Sequence, residues 1–228
     1  MVWRRTKTSS LVCKRKEKEE VVVSVNLLSI SPTYIYGGTI AVYEDAWQDY
    51  KKTIEDALSI DSDQSIDVKF RPSQTDEDYE TGDPLRQSVR TSYGLSLGKA
   101  SVVSQTAKEI YDSCDKVVGS AISEYRKIFK INEEIKTAES YGLLRYRANE
   151  KYNLHYDGGT ESSRAVSVLI YLNDDYEGGE LEFPNFDIKI KPKAGTLVLF
   201  PSNYAYAHIA HPVKSGTKYV IATWLKDR

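Results

Sequence analysis

The chain has 228 residues, a formal net charge of -2, 40% hydrophobic and 28% charged side chains. That is enough chain for one sizeable core with the composition of an ordinary globular protein, and the near-balanced charge gives no reason to expect nucleic acid as a partner. No apolar run approaches the roughly 20 residues that cross a bilayer, so no membrane partner is expected. Two cysteines, Cys13 and Cys114, lie far apart and make no disulfide framework, which points to a reducing, cytoplasmic setting.

Residues 1–20 carry Arg4, Arg5, Lys7, Lys14, Arg15, Lys16 and Lys18. They read as a basic, disordered tail, with an arm for an acidic partner as the other reading. Residues 21–228 then form a single domain. Val21 to Ile30 is rich in β-branched and aliphatic side chains and predicts a strand. Thr39 to Tyr43 predicts another, after the Gly37-Gly38 turn signal. A helix is expected from Asp45, with Gln48 three residues on as in a capping box. Trp47, Tyr50, Ile54, Ala57 and Leu58 fall on its apolar face. Pro72 to Pro84 is polar and acidic (Asp76, Glu77, Asp78, Glu80, Asp83) and reads as a long surface loop, either a lid or a solvated insertion. From Val103 to Phe129, apolar residues at Val103, Ala107, Ile110, Cys114, Val117, Ala121, Tyr125 and Ile128 keep the spacing of one amphipathic helix.

After Glu139 the texture changes to short β-rich runs. These are Tyr141 to Tyr146, Ala165 to Leu172, Leu181 to Phe183, Ile188 to Ile190, Thr196 to Phe200 and Lys218 to Trp224. Turn residues separate them, among them Gly178-Gly179 and Ala194-Gly195. Many short strands at this spacing predict a double-sheet barrel or jelly roll. The fold class expected is α+β: a double-stranded β-helix (jelly-roll) core over about residues 139–226, with N-terminal supporting helices.

The chain has three histidines, His155, His208 and His211, all in the β-rich half. His155 and Asp157 are two apart, and on a strand positions i and i+2 point to one face. Imidazole and carboxylate would then converge, and a histidine from a distant strand would complete two histidines and one carboxylate. That facial triad leaves coordination positions open, as non-haem iron oxygenases require. H-x-D by itself is a weak signal, equally met in an exposed turn, and the residues alone leave His208 and His211 both open.

The stretch from Tyr146 through Tyr152 to His155 and Asp157 resembles the Y-x-x-G-x-x-Y-x-x-H-x-D segment of the prolyl 4-hydroxylase family. Arg164 to Asn173, Glu177 to Pro184, Lys191 to Gly195, Phe200 to Asn203, His211 to Val213 and Ser215 to Tyr219 resemble later family segments in order and spacing. The resemblance is close over about residues 141–225 and looser before them. It implies an Fe(II)- and 2-oxoglutarate-dependent dioxygenase that hydroxylates peptidyl proline, using O2 and releasing succinate and CO2. The implied metal ligands are His155, Asp157 and His208, the last favoured over His211 by the match of Tyr206 to His208 and by the ten residues to Lys218. Lys218 stands where the family places its basic anchor for the far carboxylate of 2-oxoglutarate. Tyr146 matches a tyrosine whose hydroxyl contacts the cosubstrate. Ascorbate is a further cofactor the resemblance brings, and a peptide or protein substrate is the implied partner.

Val220, Ala222 and Trp224 share strand parity with Lys218 and would wall the cosubstrate, although a tryptophan there is more often core than platform. Two departures stand out. Asn149 occupies a common glycine position, and asparagine tolerates similar backbone angles. Leu181 replaces a threonine that would give the cosubstrate a hydroxyl. Retention of Asp157 argues against a halogenase. Two other readings remain: a non-catalytic β-roll that binds metal or ligand, and an oxygenase acting on a small molecule such as free proline.

Overall fold

The computed structural model describes residues 3–5, 11–13, 30–73, 89–133, 135–137, 139–159 and 163–227. In chain order, β1 (Trp3–Arg5) pairs with β2 (Leu11–Cys13), and β3 (Tyr34–Tyr36) with β4 (Ile40–Tyr43). Next come α1 (Tyr50–Ser62), β5 (Arg71–Pro72), β6 (Tyr93–Ser96), α2 (Leu97–Val103), α3 (Gln105–Ile128) and β7 (Lys136–Thr137). The β-rich half supplies β8 (Gly142–Tyr146), β9 (Tyr152–His155), β10 (Arg164–Tyr171), β11 (Glu177–Gly178), β12 (Leu181–Phe183) and β13 (Ile188–Ile190). It ends with β14 (Leu197–Pro201), β15 (His208–Ala210), β16 (Val213–Ser215) and β17 (Lys218–Lys226).

The major sheet runs β3-β4-β14-β10-β17-β8-β6-β5, with β7 on the end of β17, and every pairing in it is antiparallel. The minor sheet runs β13-β12-β15-β9. Strand parity divides the major sheet into two faces. Val166, Val168 and Ile170 of β10, Leu197 and Leu199 of β14, Ile221 and Leu225 of β17 and Leu143 of β8 pack in one core cluster. Their partners there are Ala107, Ile110, Cys114, Val117, Val118, Ala121 and Tyr125 of α3. The intervening residues Val198, Phe200, Tyr171 and Val220 turn the other way and pack on Leu181 and Phe183 of the minor sheet. The site lies in that second layer.

The expected jelly roll is thus present, and strands from the N-terminal half (β3 to β6) extend its major sheet. Three local expectations change. The first helix begins at Tyr50 after Asp49, not at Asp45. Asp45 sits at φ 55 and accepts a hydrogen bond from the Gln48 side chain through its backbone carbonyl, and the Trp47 N–H donates to Gly195 O, so the chain is tied to a turn before it can coil. Trp47 and Ala57 are buried as expected, but Leu58 is exposed. The helix expected over Val103 to Phe129 is broken at Ser104, whose extended backbone ends α2 and whose hydroxyl accepts from Ala107 N to cap α3. Val103 is accordingly exposed.

Val21 to Ser29, most of the 1–20 stretch and nearly all of the acidic loop, including Asp76 to Asp83, lie outside the described residues. Among the described residues no helix is long and apolar enough to cross a membrane.

Candidate metal centre and cosubstrate pocket

His155 ends β9 and His208 opens β15, and the two are direct antiparallel partners in the minor sheet. Asp157 follows two residues after His155. One ligand atom from each of His155, Asp157 and His208 lies within 4.8 Å of the other two. The His155 Nε2 is 3.6 Å from Asp157 Oδ1, and the His208 Nε2 is 3.7 Å from Asp157 Oδ2. His211 is elsewhere. Its Nε2 lies 2.5 Å from Glu182 Oε2, and Glu182 also takes Lys189 at 2.8 Å.

The protonation of the cluster follows from its partners. His155 Nδ1 is 2.8 Å from Asn153 O, and His208 Nδ1 is 3.1 Å from Tyr206 O. A carbonyl only accepts, so both Nδ1 atoms carry a proton and both Nε2 atoms are turned toward Asp157. Burial lowers the His208 pKa to about 4, more than the neighbouring Asp157 raises it, which keeps that ring neutral. Burial would raise the Asp157 pKa, but His208, His155 and the Ser167 hydroxyl together hold it well below the usual carboxylate range. Two imidazole nitrogens and an ionised carboxylate therefore converge on one point. Nitrogen-nitrogen-carboxylate is a donor set for a divalent transition metal.

Residues outside the triad hold it in place. Ser167 on β10 donates to Asp157 Oδ2 at 2.6 Å, and Ser202 lies 2.8 Å from the Ser167 hydroxyl. Both serines are buried. Since Ser167 spends its proton on the carboxylate, Ser202 is the donor in that second bond. Arg164 donates to the Asp157 carbonyl at 3.0 Å, is clamped by Glu139 at 2.7 and 2.6 Å, and lies over the Trp224 ring at 3.9 Å. The Tyr152 ring stacks on His155 at 3.4 Å.

A cavity of about 310 Å³ opens beside the triad. Lys218 and Tyr146 both line it and are cross-strand partners on β17 and β8, with the ammonium 4.5 Å from the ring centre. Lys218 is only 2% exposed and donates one hydrogen bond, to Gly179 O at 3.0 Å. Gly179 has φ 66 and a Cβ there would meet the Tyr176 ring at 2.9 Å, so glycine is what lets the carbonyl reach the lysine. Burial, reinforced by nearby Lys191 and only partly opposed by Glu180, lowers the Lys218 pKa to about 7. Val220, Ala222 and Trp224 line the same cavity, as strand parity predicts, and so does Leu181. Asn149 takes φ 68, the backbone that glycine would adopt at this position.

The structure thus brings together His155, Asp157, His208, Lys218 and Tyr146 and separates His211 from them. Sequence reasoning gave no role to Ser167, Glu139, Arg164 or Tyr152. A hydroxyl on the inward parity of a strand otherwise facing a core is the signal that marks Ser167. Trp224, left aside as core, is part of the cavity wall.

Residues 141–226 match the 2OG-Fe(II) oxygenase superfamily. A protein of Acanthamoeba polyphaga mimivirus is 32% identical over 157 residues, which is 58% of this chain and 65% of that one. Prolyl 4-hydroxylase subunit alpha-1 of Gallus gallus is 31% identical over 224 residues, 87% of this chain and 39% of that subunit. Prolyl 4-hydroxylase 13 of Arabidopsis thaliana is 27% identical over 175 residues, 60% of this chain and 62% of that protein. The chain therefore spans less than two thirds of each of these relatives. Among solved structures, a prolyl hydroxylase of Trichoplax adhaerens in complex with a hypoxia inducible factor peptide fragment shares the fold at a TM-score of 0.68 and 21% identity, covering 84% of both chains. The viral collagen prolyl hydroxylase of Paramecium Bursaria Chlorella virus-1, in its 2OG complex, aligns at 0.58 and 21% identity over 84% of this chain and 98% of that one. The residues that build the site thus match the 2OG-Fe(II) oxygenase superfamily, and the chain is similar to prolyl 4-hydroxylases within it.

Proposed function

We propose that the protein is an Fe(II)- and 2-oxoglutarate-dependent dioxygenase that hydroxylates proline within a peptide. The observation that carries this is the convergence of two imidazole nitrogens and a carboxylate at the wall of a cavity holding a buried lysine. His155, Asp157 and His208 would hold the iron. Bound there with 2-oxoglutarate, Fe(II) supplies O2 activation, coupling decarboxylation of the cosubstrate to succinate and CO2 with hydroxylation of a substrate C–H bond.

The chain's own residues position and shield. Lys218 offers a desolvated ammonium to the far carboxylate of the cosubstrate, an anion that would otherwise be buried without a partner. Tyr146, directly across the strand pair, offers its hydroxyl from the same wall. Val220, Ala222 and Leu181 close the sides with apolar surface and keep water from the reacting centre. Ser167 fixes one oxygen of Asp157, so the carboxylate keeps its orientation as ligands exchange. Peptidyl proline as substrate is supported by the prolyl 4-hydroxylases among the relatives.

The test is anaerobic binding of Fe(II) and 2-oxoglutarate, followed by oxygen and detection of succinate and of a hydroxyl gained on proline peptides or free proline. Wild type and His211→Ala are expected to make succinate and to hydroxylate peptide in preference to free proline, while His155→Ala makes none. Folded, iron-loaded wild type that yields no succinate with any proline peptide would overturn the proposal.

A further inference from the structure

Three cations line the cavity: Lys218, Arg164 and Arg90. Two are committed. Lys218 is buried where the cosubstrate's carboxylate is proposed to sit, and Arg164 is clamped by both oxygens of Glu139 while its guanidinium lies over the Trp224 ring. Arg90 differs. Its Nε donates to Ser92 Oγ at 2.9 Å and its guanidinium lies 4.7 Å over the Tyr152 ring, whose own stacking partner is His155. Among the described residues its two terminal nitrogens meet no acceptor and its charge meets no carboxylate.

The backbone around Arg90 is also fixed. Arg90 bridges to Tyr152, Thr91 N donates to Lys151 O at 3.0 Å, and Asn153 N donates to Val89 O at 2.8 Å. Residues 89–91 are thus laced to β9, the strand that ends in His155. The guanidinium is held in orientation by Ser92 and by the ring beneath it, with a two-pronged pair of N–H groups left over. That fork matches a carboxylate in two parallel hydrogen bonds, and a pre-oriented guanidinium loses little entropy in making them.

We infer that Arg90 reads an acidic side chain of the substrate, placed within about two residues of the target proline. The spacing follows from the stack: one ring separates Arg90 from His155, a distance that about two residues of extended chain cover at roughly 3.3 Å each. The inference rests on the peptidyl-proline reading and names the class of peptide it takes.

The test uses capped peptides that differ only by Asp, Asn or Lys at each of the two positions on either side of the proline. Each is compared by kcat/KM for hydroxylation and by anaerobic binding with Fe(II) and 2-oxoglutarate present. Wild type is expected to favour Asp over Asn at one of these positions by roughly tenfold in both measurements, the scale of a charge-assisted hydrogen bond. Arg90→Gln should bring that ratio to about one, and Arg90→Glu should turn the preference toward Lys. A merely structural role would slow the Asp and Asn peptides alike and leave the ratio intact. A wild-type ratio near one at every position, a ratio that survives Arg90→Gln, or no binding of any peptide overturns the inference. An Arg90-dependent binding preference with no hydroxyl gained keeps the acidic subsite and removes the proline hydroxylase reading. Hydroxylation without preference does the reverse.

Discussion

His155 and His208 each spend their Nδ1 proton on the carbonyl two residues before them, so the strand backbone itself fixes which nitrogen faces the metal. Asp157 has no such backbone device and depends on Ser167. Removing that hydroxyl leaves one carboxylate oxygen buried without its donor and also leaves Ser202 without its acceptor. Ser167→Ala is therefore expected to weaken Fe(II) binding roughly 10- to 100-fold with the fold retained, as titration with Fe(II) under anaerobic conditions would show. Unchanged affinity would mean that the histidines alone orient the site. Lys218 supports a prediction of opposite sign for stability. Burial takes its pKa from the ordinary 10.5 to about 7, so between those values the unfolded chain binds the extra proton and stability rises with pH. Below pH 7 the full penalty of the buried ammonium is present. Lys218→Met should then raise Tm, more at pH 6 than at pH 10, while abolishing 2-oxoglutarate binding. A variant less stable than wild type at pH 6 would show that the Gly179 and Tyr146 contacts outweigh the desolvation.

At the scale of elements, the periodic segments were legible and the joints between them were not. The longer strands of the β-rich half announced themselves through alternation and turn residues, whereas the short β9, β11, β15 and β16 were not among the β-rich runs, and the apolar ladder from Ala107 to Tyr125 placed α3. The starts of α1 and α3 were obscure because each depends on a contact distant in sequence or on one backbone angle. Ser104 adopts an extended φ and ψ directly after Val103, the first member of the apolar ladder. Asp45 looks like a cap, yet the chain after it is held by Gly195. Within the site, His155 and Asp157 were visible from their spacing, but the choice of His208 and the role of Lys218 needed the resemblance, since pairing between strands so far apart in the chain leaves no local trace. Gly195 shows how a joint carries weight. It has φ 81, its N–H donates to Tyr171 O at 2.8 Å, and a Cβ there would lie 2.5 Å from Trp47 O. Gly195→Ala should cost about 1–3 kcal/mol, a drop of several degrees in Tm. Gly119 in α3 is the contrast, because a Cβ there meets nothing within 4 Å. Gly119→Ala is expected to stabilise by up to about 1 kcal/mol by thermal or chemical denaturation.

Across the whole molecule, the site is a seam between two sheets. His155 and His208 belong to the minor sheet, whereas Ser167, Lys218 and Tyr146 belong to the major sheet. Asp157 joins them, following β9 while hydrogen-bonded to β10. Phe183 and Phe200 pack edge to face across the same seam, and His208 lies against both. A metal on the minor sheet and an anion held by Lys218 on the major sheet would therefore add a cross-link between layers that already meet through side-chain packing and a few hydrogen bonds. Ligands that bind only the folded chain stabilise it by mass action, about 2.7 kcal/mol at a hundredfold excess over Kd. For a chain of this length that corresponds to roughly 5–10 °C in Tm. Because 2-oxoglutarate would engage both the metal and Lys218, its shift should depend on Fe(II). Anaerobic thermal unfolding should show little change with 2-oxoglutarate alone, a rise with Fe(II), and a rise with both that exceeds the sum. Chelation of the metal should remove the excess. In Lys218→Met the metal shift should survive and the added shift vanish, because that variant keeps the triad and loses the far anchor. Simple additivity in wild type would instead place the two ligands at independent sites, and the seam would then be only a packing boundary.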